Sequence, residues 1–454
     1  METIAAISTG HTLSAVGILR VSGDDCFSVC DRVFRPLNGR PFSAQIPREM
    51  VLGSLLDREG RTIDQALAVR FPGPRSYTGE DCAELHCHGS PVVLDQGLRS
   101  LFAAGARQAG RGEFTKRAFL NGCMDLTQAE AVIDLIEAET AQAAHNAVEQ
   151  LGGALRGRVE PIYERLLDVA SQFYAVVDYP DEDIEDLDRA DLMSTLAEAE
   201  AALRALLSTA DRGQILRQGA PTAILGRPNV GKSSLLNALL GCERAIVTDV
   251  AGTTRDTVEE KAVVGGVLLR LIDTAGIRDA HDAVERLGVE RSRQAAAGAA
   301  LALLVLDGSR PWTEEDRAAL EAARQADRMV ALVNKSDLPQ VLDAKALEAE
   351  LGRVIPVSAR SGAGLEALEA AVAELFPAGE APAGHILTNA RQAEAAGRAR
   401  EAIRRGAQAL SAGMPPDAVV ADVEEAMAAL GELTGRTVRE DVTARIFERF
   451  CVGK

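Results

Sequence analysis

Between residues 226 and 234 the chain reads GRPNVGKSS, a G-x-x-x-x-G-K-[ST] pattern that follows the apolar stretch TAIL and precedes the helix-forming SLLNALL. Glycines let such a loop turn tightly enough for its backbone N–H groups to converge on phosphate oxygens, and the following helix adds its positive end. Asn229, Val230, Gly231, Lys232, Ser233 and Ser234 would form that cradle. Lys232 would reach the β- and γ-phosphates, and the Ser233 hydroxyl would ligate Mg2+. Taken alone, the same residues also describe a glycine-rich turn before a helix.

Three further stretches narrow the choice. DTAG (Asp273, Thr274, Ala275, Gly276) follows the strand-like LLRLI, so Asp273 can hold the Mg2+ shell and Gly276 can sense a γ-phosphate. NKSD follows MVALV and supplies Asn334, Lys335 and Asp337. A buried Asp337 would accept from the N1–H and exocyclic amine of guanine, donors that adenine lacks there. SAR (Ser358, Ala359, Arg360) follows VIPV and would close the base pocket. Four elements in this order, each after a strand, imply a guanine-nucleotide-binding domain. After DTAG stands Ile277, where Ras-type GTPases place the glutamine that orients water. A carboxylate in RDAHDAVERLGVER is the natural substitute, and Glu285 is the first choice.

These loops need strands and helices to hold them. Residues 222–376 alternate apolar strands with helices, the pattern of a doubly wound α/β sheet. Residues 1–120 show strand-like pieces such as VGILRVSG and QALAVRFPG between Gly and Pro turns, whereas from Leu126 the chain turns helical at 3–4 spacing. FPAGEAPAG (376–384) reads as a linker, after which helix returns. The expected architecture is multi-domain: an α+β domain at 1–120, a split all-α helical domain at 121–216 and 380–454, and an inserted P-loop domain at 217–379. At 454 residues, two or three domains fit.

Net charge is −18 and unevenly spread: residues 1–120 hold 14 Lys/Arg against 13 Asp/Glu, the remainder 35 against 54. That excludes a general nucleic-acid binder, so any RNA contact must be local. The longest apolar run, AAAGAALALLVL, is too short for a membrane span and suits a helix end plus a buried strand. Seven scattered cysteines and an acidic residue at the start fit a cytoplasmic chain without disulfides.

DVAGTTRD (249–256), Ile277, the helical flanks, the terminal FCVGK and the motifs VGILRVSG, YTGEDCAEL, GEFTKRAFLNG, LTQAEAVIDLI and DYPDEDI together resemble the MnmE (TrmE) family of tRNA modification GTPases over the whole chain. The resemblance implies a folate-binding dimerisation domain, a split helical domain and an inserted Ras-like G domain that pairs across a homodimer around K+. It implies K+ ligands among Asn229, Thr248, Val250 and Thr253, with Asp249, Ala251 and Gly252 completing the loop. Thr254 would join Ser233 on Mg2+, and Glu285 would position water. In the N-terminal domain, Arg20 and Glu84 match positions that grip a tetrahydrofolate derivative (5-formyl or 5,10-methylene form). Cys123 departs from the Lys the family often has there. The implied reaction, with an FAD-dependent MnmG (GidA) type partner in a heterotetramer, is carboxymethylaminomethyl addition at C5 of the wobble uridine of tRNA. An RNA- or ribosome-assembly switch is the alternative, and it predicts a basic appendage that residues 121–454 lack.

Two smaller features invite other chemistry. His86, Cys87 and His88 with Cys82 suggest zinc, but they lie on a strand of alternating faces without a second CxxC pair. The ending CVGK has the length of a prenylation box but the wrong residues. VTARIFERF carries Ile446, Phe447 and Phe450, which could dock a helix and leave the last four residues free to reach another surface. The resemblance places that surface at the folate, with Lys454 beside the cofactor and Cys451 as a nucleophile for uridine C6.

Overall fold

The computed structural model describes residues 1–178, 188–242, 260–272, 294, 296–377, 382–414, 417–437, 446–447 and 450–453. It divides into two compact units, Met1–Ile133 with Met427–Lys454, and Asp134–Ala426.

The first unit is built on a seven-stranded sheet. Its strands are β1 (Ile4–Ile7), β2 (Val16–Ser22), β3 (Phe34–Pro36), β4 (Val51–Leu56), β5 (Thr62–Phe71), β6 (Cys82–His88) and β7 (Arg107–Gln108), in the order β3-β4-β5-β6-β2-β1-β7. All neighbours are antiparallel except β1 and β7. Helices α1 (Cys26–Val33) and α2 (Pro91–Ala103) cover one face, where Leu19, Val21, Leu55, Leu85, Leu94 and Leu101 form the core. The other face carries the alternate residues, and pairing sets Arg20 beside Glu84 and Val69, with Ile18, His86, Leu67 and Leu52 in the next row. Strands with one face covered alternate in this way because each successive side chain points to the opposite side. Helices α3 (Glu113–Leu120) and α4 (Leu126–Ile136) follow; the side of α4 bearing Ala129 and Ile133 packs with Phe447 and Phe450.

The second unit opens with α5 (Ala141–Leu151), α6 (Ala154–Asp178), α7 (Arg189–Leu207) and α8 (Ala210–Gln218). A six-stranded sheet comes next. Its elements are β8 (Ala220–Leu225), α9 (Lys232–Cys242), β9 (Glu260–Val264), β10 (Val267–Ile272), β11 (Leu301–Asp307), α10 (Glu314–Ala323), β12 (Met329–Asn334), α11 (Ala344–Leu351), β13 (Val354–Pro356) and α12 (Leu365–Leu375). The order β13-β12-β11-β8-β10-β9 is parallel but for the β9–β10 hairpin, and its switch point lies between β8 and β11, where such sheets bind ligands. Every residue of β11, LALLVLD, is buried, because helices cover both faces of a central parallel strand. Each of its leucines contributes about 2 kcal/mol through burial.

Helix α13 (Ala390–Ser411) packs on α7, and α14 (Asp417–Thr434) ends the helical series. The chain returning from the sheet is pinned in a polar seam. Gly384 N–H donates to Asn146 Oδ1 (2.8 Å), Gln150 Nε2 to the Ile386 carbonyl (2.6 Å), Leu387 N–H to Thr209 Oγ1 (3.1 Å) and Thr388 Oγ1 to Asp134 (2.9 Å). Asp134 also pairs with Arg217 of α8 at 2.7 Å, so both chain crossings meet one carboxylate. No helix among the described residues is long and apolar enough to cross a membrane.

Candidate functional site

At the switch point the loop after β8 runs Gly226 to Gly231 and enters α9 at Lys232. Gly231 holds φ +99°, and a Cβ there would lie 2.2 Å from Asn334 Nδ2, so only glycine fits. Asn229 sits at φ +62°, a conformation that asparagine tolerates, with its residue exposed. Ser233 and Ser234 are exposed at the first turn of α9. Lys232 Nζ donates to the Gly226 carbonyl (2.6 Å) and the Arg227 carbonyl (2.8 Å), and burial pushes its pKa down.

The base side of the pocket is stitched to this loop. Asn334 Nδ2 donates to the Val230 carbonyl (2.8 Å), while its Oδ1 accepts from Ala359 N–H (3.0 Å). Lys335, in the left-handed region at φ +64°, donates to the Asn229 carbonyl (2.9 Å) and to Asp307 Oδ2 (2.6 Å). Those bonds hold a side chain in a backbone conformation it otherwise avoids. Burial alone would raise the Asp307 pKa, but hydrogen bonds from Lys335 and Ser309 outweigh it and keep the carboxyl below its ordinary range. Ser358 Oγ donates to Asp337 Oδ1 (2.7 Å), aiming the carboxylate. Asp337 is exposed, contrary to the expectation of a buried acceptor, because it projects from the rim of the loop after β12; Arg360 is exposed too.

The loop Thr248, Asp249, Val250, Ala251, Gly252, Thr253 and Thr254, the DTAG residues Asp273, Thr274, Ala275 and Gly276, Glu285 and Lys454 lie outside the described residues.

On the open face of the seven-stranded sheet, Arg20 and Glu84 do not stand apart as surface residues. Arg20 Nε and Nη2 both donate to Glu84 Oε1 (3.0 and 2.8 Å), and each side chain is only 19% exposed. The guanidinium also lies 5.2 Å from the Tyr77 ring and 5.7 Å from Phe114. Glu84 Oε2 meets His86 Nε2 at 3.2 Å. Beside them Arg117, nearly fully buried, donates to Glu80 (2.8 Å) and Glu113 (2.9 Å), and Arg107 reaches the same Glu113 at 2.6 Å. Burial would raise the Glu113 pKa, but these arginines and the Gly110 N–H bring it down to about 2. Sequence reasoning missed Tyr77 and Phe114, which come from the loop before β6 and from α3 and meet Arg20 only through the fold, and it named His86 only beside the zinc candidates, not as a partner of Glu84. Cys87 faces the opposite, core side from His86, and among the described residues no group of three or more His, Cys, Asp or Glu could hold a metal ion. Burial, then Asp64, pushes the Cys87 thiol up to about 12.

The tail corrects one expectation. Residues 451–453 are docked on the first unit rather than free. Gly112 N–H donates to the Cys451 carbonyl (3.3 Å), Val452 bridges Arg111, and Ser8 Oγ donates to the Gly453 carbonyl (3.0 Å). Gly453 sits at φ +101° with its Cα against the backbone of Ile7, where a Cβ would clash at 2.1 Å. Backbone pairing, which does not depend on side-chain type, is what the residue string concealed. Cys451 remains exposed.

Comparison with known proteins now bears on these sites. The family model described as the GTP-binding protein TrmE N-terminus matches residues 3–123, and the MnmE helical domain model matches 126–451. The proteins named tRNA modification GTPase MnmE from Alkaliphilus metalliredigens and Symbiobacterium thermophilum are 43% and 44% identical, each over 100% of this chain and 99% of theirs. That from Roseiflexus sp. is 45% identical over 100% of this chain and 99% of its own. A solved structure, the G domain of the T. maritima FeoB iron transporter, covers 34% of this chain and 96% of its own at 28% identity and a TM-score of 0.26, too low to speak for shared geometry. With relatives matched end to end at this identity, the chain belongs to the MnmE family of tRNA modification GTPases.

Proposed function

We propose that this chain is a K+-activated, dimerisation-dependent GTPase acting in tRNA modification. With an FAD-dependent partner of the MnmG type, it adds a carboxymethylaminomethyl group at C5 of the wobble uridine, drawing the one-carbon unit from a tetrahydrofolate. The observation that carries the reading is the guanine side of the pocket, where Ser358 orients Asp337 and Asn334 ties the base loop to the phosphate loop, in a chain whose relatives are named tRNA modification GTPases.

In this reading Asp337 accepts from the guanine N1–H and amine, and the Lys232 ammonium, steadied by the loop carbonyls, offers its remaining donor to the β- and γ-phosphate oxygens. Ser233 and Thr254 hold Mg2+; Asn229, Thr248, Val250 and Thr253 hold K+, and Glu285 orients the water. The exposed Asn229 and Ser233 side chains at the mouth of the loop fit that donor set. The two cations supply positive charge to the phosphoryl oxygens as negative charge builds there. The Arg20–Glu84 pair suits a folate: the carboxylate matches the amino–imino edge of a pterin, and Tyr77 and Phe114 offer apolar ring surface.

The test is GTP turnover in KCl and in NaCl, with wild type and Glu285→Ala. K+-dependent turnover that Glu285→Ala abolishes supports the reading; equal rates in both salts sink the K+ mechanism. Asp337→Asn sharpens it by moving base preference from guanine towards xanthine, whose 2-carbonyl accepts from the new amide.

A further inference from the structure

Arg227 occupies the second position of the phosphate loop, where the pattern G-x-x-x-x-G-K-[ST] asks for nothing in particular. Its guanidinium nevertheless turns away from solvent: Nε meets Asp316 Oδ1 at 3.1 Å, with the side chains 11% and 3% exposed. Asp316 is the third residue of α10 and part of its capping box. Its second oxygen accepts from Thr313 N–H (3.0 Å) and Thr313 Oγ1 (2.8 Å). A carboxylate inside a helix first turn is satisfied by its cap alone, so the ion pair with a loop 89 residues away in sequence needs its own reason. The backbone supplies one. The carbonyl of Arg227 is one of the two oxygens that hold Lys232 Nζ.

Resting on the guanine-nucleotide reading above, we infer that Asp316 is a positioning residue for the phosphate site: it clamps the Arg227 side chain, and thereby fixes the stretch of loop whose carbonyls place the Lys232 ammonium. The opposite flank of the loop is already held by Lys335 on the Asn229 carbonyl, with Asp307 behind it. The β11–α10 connection therefore braces the loop from a carboxylate at each of its ends. A buried charge-assisted bond is strong because few waters replace it when it breaks. Loss of either partner lets the first half of the loop shift and misplaces the ammonium.

The experiment measures affinity of the full-length protein for a fluorescent GTP analogue with Mg2+, and thermal unfolding, in Asp316→Asn, Arg227→Gln, the double variant and Thr313→Ala. Each single charge variant is expected to weaken binding by roughly tenfold. The double variant should bind no worse than either single, because the lost interaction is the same one. Arg227→Lys should recover part of the loss. Thr313→Ala, which removes one hydrogen bond from Asp316 but leaves its charge opposite Arg227, should lower the unfolding temperature and weaken binding less than either charge variant. Unchanged affinity in Arg227→Gln, or additive losses in the double variant, would overturn the inference even where Asp316→Asn unfolds. Wild type that shows no guanine preference would instead overturn the reading on which it rests.

Discussion

In the proposed nucleotide pocket the groups that would face the ligand are backbone amides and short side chains on loops leaving β8, β12 and β13. On the seven-stranded sheet the polar groups stand on the strands themselves, and Arg20 and Glu84 satisfy one another across β2 and β6. The first arrangement depends on backbone conformation, as at Gly231, Asn229 and Lys335. The second depends on charge held in a half-buried place, with aromatic rings beside it. A backbone cradle is intolerant of added atoms; a side-chain pair tolerates shape changes yet fails when one partner is neutralised.

The largest effect should separate the two. Gly231→Ala drives a Cβ into Asn334 Nδ2 at a positive φ, and nucleotide affinity should fall by more than about a hundredfold. Titration with a fluorescent GTP analogue checks it, and tetrahydrofolate binding to the same variant should hold. Arg20→Met should do the reverse, weakening tetrahydrofolate binding by roughly tenfold as it leaves Glu84 half-buried without its cation, while GTP affinity is unchanged. Equal losses at both sites in either variant would erase the distinction.

A smaller effect concerns pH. Glu113 is held at about 2 against an ordinary 4.5, so the folded state favours its charged form. Its contribution to stability is full above about 4.5 and is lost as pH falls towards 2. Thermal unfolding followed across that window should steepen in wild type relative to Glu113→Gln. Smallest of all, Leu67→Ser on the open sheet face, where the side chain is exposed, should shift stability by less than about 0.5 kcal/mol in chemical denaturation. By contrast, Leu304→Ala inside β11 should cost about 3 kcal/mol.

Legibility followed the same division. The phosphate loop, NKSD and SAR are contiguous strings whose chemistry needs only a strand before them, so Lys232, Asn334, Asp337 and Ser358 could be read from residue order. Arg20 and Glu84, 64 residues apart, came only through family resemblance, because strand register and not spacing makes them neighbours. Thr313-x-x-Asp316 has the residue types of a helix cap, but nothing in their order signals the reach of Asp316 to Arg227.

By itself, then, the chain determined its local chemistry: which loops turn tightly, which strand is apolar throughout, which helices carry caps. Those properties depend on a residue and its near neighbours. Only the tertiary structure decided which distant charges meet, that Asp337 stands at an exposed rim, that Asp134 ties both crossings into the sheet, and that residues 451–453 lie along Ile7 and Gly112. Such contacts arise from packing and register, and backbone hydrogen bonds at a chain end carry no side-chain signature.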